Sequence, residues 1–127
     1  MKRILLNMVL GSAVFAQAPD NINDKIDRMA DQLERQVIEW RRDFHENPEL
    51  SNREFRTAEK VADHLRSLGM EVQTGVPHTG VVGLLKGGKP GKVVALRADM
   101  DGLPVKEKVD LQFASKAKGI YQDKEVE

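Results

Sequence analysis

A run of apolar residues that ends in two carboxylates and a turn, Val93-Val94-Ala95-Leu96-Arg97-Ala98-Asp99-Met100-Asp101-Gly102-Leu103-Pro104, constrains this chain more than any other stretch. Four consecutive apolar residues at its start describe a strand covered on both faces, and therefore central in its sheet. Side chains alternate along a strand, so Asp99 and Asp101 are expected on the same side. Two negative charges at that spacing repel unless a cation or hydrogen-bond donors lie between them. The carboxyl end of a strand is also where open α/β sheets keep their ligands. A divalent metal, or a group oriented by one, is the expected resolution, and the plainer alternative is that both aspartates cap the following turn.

The chain has 127 residues, of which 40% are apolar and 31% charged, which suits one small globular domain or a piece of a larger one. Lys plus Arg equals Asp plus Glu at 20 each, so no basic surplus points to nucleic acid. Small molecules or proteins are the expected partners. With no cysteine, a disulfide framework is excluded.

Residues 1–16 read as a secretory signal peptide. Lys2 and Arg3 form a positive start, Ile4 to Phe15 is apolar but too short to span a bilayer, and Val14-Phe15-Ala16 fits a cleavage site. Ala16-Gln17-Ala18 also fits, but a cut there leaves Pro19 first, so cleavage after Ala16 is preferred, with residues 17–127 as the mature chain. A buried N-terminal helix is the alternative. Export to the periplasm or outside the cell is the expectation, with no stable membrane insertion once the leader is removed.

Ile22, Ile26, Met29, Leu33, Val37, Trp40 and Phe44 recur three or four residues apart, the pattern of a core-packing helix that Asn47-Pro48 ends. Ser51-Asn52-Arg53-Glu54 has the form of a capping box, with the serine oxygen on the Glu54 amide and the Glu54 carboxylate reaching back. The helix it opens should turn Phe55, Ala58, Val61, Ala62, Leu65 and Leu68 inward and stop at Gly69 in a left-handed cap. Met70 to Val76, Gly80 to Lys86 and Lys92 to Ala98 then read as three strands, the last two antiparallel neighbours across Gly87-Gly88-Lys89-Pro90-Gly91. Two helices followed by a mixed sheet make an α/β fold. From Val105 to Glu127 no period is sustained, and an irregular tail would leave a central strand uncovered, so the chain is expected to be the front part of a longer polypeptide.

Four motifs in order, Arg41-Arg42-Asp43-Phe44-His45-Glu46-Asn47-Pro48-Glu49-Leu50-Ser51 with Glu54 and Thr57, then Thr79-Gly80-Val81-Val82-Gly83, then Leu96 to Val105, then Phe113-Ala114-Ser115, resemble the bacterial amidohydrolases of the aminoacylase and hippurate hydrolase type. The resemblance covers roughly residues 35 to 127. It implies the N-terminal portion of a zinc-peptidase-like α/β catalytic domain, which in that family is interrupted by a smaller lid or dimerisation domain. It implies metal-dependent hydrolysis of N-acyl amino acids, hippurate among them, by the whole-length protein, whose oligomeric state, a homodimer included, it leaves open. The implied cofactor is a divalent, dinuclear metal, with zinc, manganese, cobalt and nickel left open.

Related peptidases carry His-x-Asp where this chain has Asp99-Met100-Asp101, so the resemblance aligns Asp101 with an acid that orients metal ligands and puts Asp99 in the histidine's place. Both are the expected catalytic residues, and neither takes precedence. Family members continue into a His-Ala-Cys-Gly-His-Asp segment and later a Glu-Glu pair, so most ligands are expected beyond residue 127 and this chain alone is expected to be inactive. The three histidines, His45, His64 and His78, match no family ligand position. His45 reads as a half-exposed residue at a helix C-terminus, His64 as solvated, and His78 as part of a turn. Trp40 and Phe44 read as core. The glycine-rich 87–91 turn lacks phosphate-loop spacing and precedes a strand, so phosphate is not expected. The alternative to the enzymatic reading is a non-catalytic fragment or binding module.

Overall fold

The computed structural model describes residues 21–126, so the expected leader at 1–16 lies outside the described residues. The first element is the predicted amphipathic helix, α1 (Ile22–Glu46). Asn21 caps it, its side-chain oxygen accepting the Asn23 N–H at 3.2 Å. At the other end Asn47 donates to the Asp43 carbonyl from both its N–H and its side-chain amide, and Pro48 blocks another turn. The chain divides into two units, Met1–Glu34 and Arg35–Glu127.

The described residues of the first unit are helical, with Ile22, Ile26, Met29 and Leu33 all 50% exposed or more. This corrects the expectation of a core-packing helix: α1 has no buried residue. A 3.6-residue period specifies an apolar face, but burial needs a second surface to meet it. In the second unit Trp40 and Phe44 are half-buried, short of the core position expected of them.

The folded centre of the second unit is α2 (Phe55–Ser67) with the antiparallel strands β1 (Glu71–Thr74) and β2 (Val81–Leu84). The two strands pair in the register Glu71 to Leu84 through Thr74 to Val81. Ala58 and Ala62 of α2 are buried together with Thr57, and small side chains there allow the helix to lie close. Leu65 and Met70 close over Gly83, where an added Cβ would stand 3.0 Å from Leu65 Cδ1. Phe55 and Leu68, expected inward, are 61% and 58% exposed, because they sit at the two ends of a helix whose covered stretch is its middle.

Gly69 stops α2 as expected, at φ 76°. Its N–H bonds the Arg66 carbonyl and the Met70 N–H bonds the Leu65 carbonyl, which is the Schellman arrangement. The start of α2 differs from expectation. No side chain of the residue preceding it caps the helix. Instead the Glu49 carboxylate accepts the N–H of Arg56 at 3.1 Å and of Thr57 at 2.7 Å, while Glu54 turns elsewhere. A longer side chain arriving from outside the helix has displaced the local serine.

Residues 92–98, the expected third strand, belong to no ladder, and Val93, Val94 and Leu96 are more than four-fifths exposed. An extended segment is a strand only when a neighbour bonds its N–H and C=O groups, and among the described residues β1 and β2 pair with each other instead. The tail, expected to be irregular throughout, contains a hairpin of β3 (Gly119–Tyr121) and β4 (Lys124–Val126). Gln122 and Asp123, both at positive φ, form its two-residue turn. Strands of three residues are too short to show a period. The α/β class holds, with two helices preceding small antiparallel sheets and a single parallel bridge joining Leu50 to Gly102 among the described residues.

Candidate functional site

That bridge places the two candidate aspartates. The Gly102 N–H bonds the Glu49 carbonyl at 2.7 Å, so the chain leaving Asp101 is held against the Pro48–Leu50 segment. Glycine is required there, because an added Cβ would stand 2.7 Å from the Pro48 Cβ. Beside this contact lies a cleft of about 210 Å³ lined chiefly by Pro48, Leu50, Leu103, Pro104, Ala117 and Val126, with Arg53 and Lys118 among its polar members.

Asp99 and Asp101 are both exposed. Arg97 donates to Asp99 Oδ1 at 2.6 Å, so one of the two carboxylates already faces a cation from its own chain. The Phe113 ring meets His45 of α1 edge-on at 5.6 Å between centroids and lies under the Arg42 guanidinium.

The carboxylates that organise the surrounding frame are different ones. Glu54 is buried, accepting the Thr79 hydroxyl at 2.5 Å and the Asn52 N–H at 3.0 Å. Burial pushes its carboxyl up, but the Thr79 hydroxyl and neighbouring N–H groups outweigh that and hold it below the usual range. Asp43 is likewise held below its usual range, by Lys60 first, against an opposing contribution from burial, with Arg56 adding to the effect. Arg56 and Lys60 stand 2.6 and 2.9 Å from its two oxygens and join the end of α1 to α2. The sequence pattern gives Glu54 the role of a capping-box carboxylate with Ser51, and brings in Glu49 and Thr79 only as letters of the family resemblance. No local pattern signals the Glu54–Thr79 pair, since Ser51 offers Glu54 a nearer partner in the sequence and Thr79 lies 25 residues away.

Each histidine is engaged. His45 Nε2 donates to Glu107 Oε2 at 2.6 Å, and the Val109 N–H together with His45 keeps the Glu107 carboxyl below its usual range. His64 packs edge-on against Trp40 at 4.5 Å, and His78, at φ 63° in its turn, donates to the Asn52 carbonyl. Among the described residues no group of three His, Cys, Asp or Glu side chains could hold a metal ion. Two exposed carboxylates with an arginine on one of them do not fit a dinuclear centre, which needs several nitrogen, oxygen or sulfur donors around each ion. Nor is any helix among the described residues long and apolar enough to cross a membrane.

No family model matches the chain. Individual relatives do. It is 52% identical over 98 residues to thermostable carboxypeptidase 2 of Saccharolobus solfataricus, covering 76% of this chain and 25% of that protein. It is 43% identical over 97 residues to an N-acyl-L-amino acid amidohydrolase of Geobacillus stearothermophilus, covering 76% of this chain and 26% of the relative. Among solved structures, the Bacillus subtilis YXEP protein, described as a dinuclear metal binding peptidase of the M20 family, superposes with a TM-score of 0.63 at 40% identity, over 68% of this chain and 25% of that one. The chain thus spans about a quarter of the length of the curated relatives it matches.

Proposed function

Because the chain is a homologue of amidohydrolases and carboxypeptidases of the M20 kind, matching about a quarter of their length, we propose that it serves metal-dependent hydrolysis of the amide bond in N-acyl amino acids such as hippurate and N-acetyl amino acids. The observation that carries this reading is the 43% identity over 97 residues to an enzyme named for that reaction. In this reading the Asp99–Asp101 segment lies beside the reacting centre, with Asp101 orienting its ligands. Among the described residues no three His, Cys, Asp or Glu side chains group to hold a metal ion, so in this reading the reaction is not theirs alone.

The test is a hybrid in which this chain's matched segment replaces the corresponding segment of the Geobacillus enzyme. Metal-dependent release of amino acid from N-acyl substrates is expected, and Asp101→Ala should lower turnover about 10- to 100-fold, with Asp99→Ala as the parallel variant. Full turnover in the double-alanine hybrid would overturn the assignment of the segment, and a folded hybrid that is inert beside an active parent would overturn the reading itself. The 127-residue chain by itself should neither bind Zn²⁺ or Mn²⁺ tightly nor release product.

Two further proposals come from the sequence. The chain is exported and begins at Gln17 after cleavage, supported by the basic start, the short apolar stretch and Val14-Phe15-Ala16, and intact Met1 in the mass spectrum of secreted protein would refute it. The whole-length protein acts on small amide substrates, and the homodimer that the resemblance leaves open for it is an outcome that sedimentation of that protein would decide.

A further inference from the structure

The run that carries Asp99 and Asp101 has no strand partner among the described residues, apart from the bridge at Gly102. What holds it is Glu49, by three bonds that face two ways. The Glu49 carboxylate accepts the N–H groups of Arg56 and Thr57, two first-turn donors of α2 that have no intrahelical acceptor. Its own carbonyl accepts the Gly102 N–H, one residue past Asp101. The helix side of this link is firm, since Thr57, Ala58 and Ala62 are buried and Arg56 is paired with Asp43. Two hydrogen bonds to one carboxylate fix the side chain, and a fixed side chain restrains the backbone that carries it.

We propose that Glu49 is a positioning residue for the Asp99–Met100–Asp101 segment, tying it through Gly102 to the start of α2. The functional part of this inference rests on the amide-hydrolysis reading, and the structural part stands without it. Glutamate suits the task because its reach spans the seven and eight residues to Arg56 and Thr57, whereas a serine or aspartate caps only the helix immediately beside it. Glycine at 102 suits it because the approach to Pro48 leaves no space for a Cβ.

Amide hydrogen exchange in the 127-residue chain tests the link. In Glu49→Ala the Gly102 amide should exchange about 10-fold faster, while the Ala62 amide inside α2 keeps its rate. Glu49→Gln, which retains one of the two accepting oxygens, should fall between. An unchanged Gly102 rate in folded Glu49→Ala overturns the proposal. Should that variant lose Ala62 protection too, Glu49→Gln decides: a faster Gly102 with Ala62 unchanged supports the link, and an unchanged Gly102 overturns it. In the hybrid enzyme, Glu49→Ala should lower kcat about 10-fold with KM unchanged and Glu49→Gln should recover part of the loss. A change in KM alone overturns the positioning role. If the unsubstituted hybrid is inert, the amide-hydrolysis reading falls and the exchange result still judges the link.

Discussion

The stretch from Glu49 to Leu84 and the stretch from Lys92 to Leu103 are both rich in apolar residues, yet the first is a packed helix and strand pair and the second is bare. Ala62 is 1% exposed, whereas Leu96 is 96% exposed. The difference does not lie in hydrophobicity. It lies in what each stretch meets: α2 finds β1 and β2 a few residues downstream, and those strands satisfy each other across one turn. Among the described residues the Lys92–Leu103 stretch has its one β-bridge near its far end, where Gly102 reaches the Glu49–Leu50 segment. Short sequence separation between partners closes a small loop at low entropic cost, so the local unit forms first claim on the pairing groups.

The largest effect expected from this contrast is a charge placed in each region. Ala62→Asp should cost about 3 kcal/mol by burying an unpaired carboxylate, whereas Leu96→Asp should stay within about 0.5 kcal/mol. Urea midpoints of the two variants check it, and equal losses would break the comparison.

Next in size is the cap. Glu49→Ala should cost about 1 to 2 kcal/mol by leaving two helix donors unmet, while Ser51→Ala should be near neutral. A large loss in Ser51→Ala would restore the capping box that the sequence suggests. Gly69→Ala should cost about 1 kcal/mol because a Cβ is strained at φ 76°.

The packed region should also respond to acid. Asp43 and Glu54 titrate below their usual 3.8 and 4.5 in the folded chain, so their contribution is present above those values and is lost as pH falls through the depressed folded ones. Denaturation midpoints should therefore fall below about pH 4.5, and Glu54→Gln should flatten part of that fall. A midpoint independent of pH between 5 and 2 would contradict it.

The smallest expected effect is on the bare region. Val94→Lys should leave the denaturation midpoint unchanged but reduce concentration-dependent light scattering, because an exposed extended apolar segment offers unpaired backbone to a second copy. Scattering that is unaffected would place self-association elsewhere, with the exposed Ile22, Ile26, Met29 and Leu33 face of α1 as the next surface to alter.

Local signals were legible at the level of single elements. The apolar period specified both helices, Asn47-Pro48 and Gly69 ended them where they end, and the change of period after Gly69 announced strands. At the candidate site the motif letters singled out Asp99 and Asp101, but the exposure of both and the Arg97 partner of Asp99 were not visible in them. The three-residue strands of the tail escaped because a period needs more than one repeat to be seen.

What the sequence by itself determined was the propensity of each segment, since capping, helix termination and amphipathic period act among residues a few positions apart. Tertiary structure decided which apolar faces are covered, that Glu49 rather than Ser51 meets the α2 donors, that Glu54 turns to Thr79, and that Gly102 docks on the Glu49 carbonyl. Those contacts join residues between 7 and 53 positions apart, and a hydrogen bond across such a separation depends on where the packed helix and strands carry its two ends.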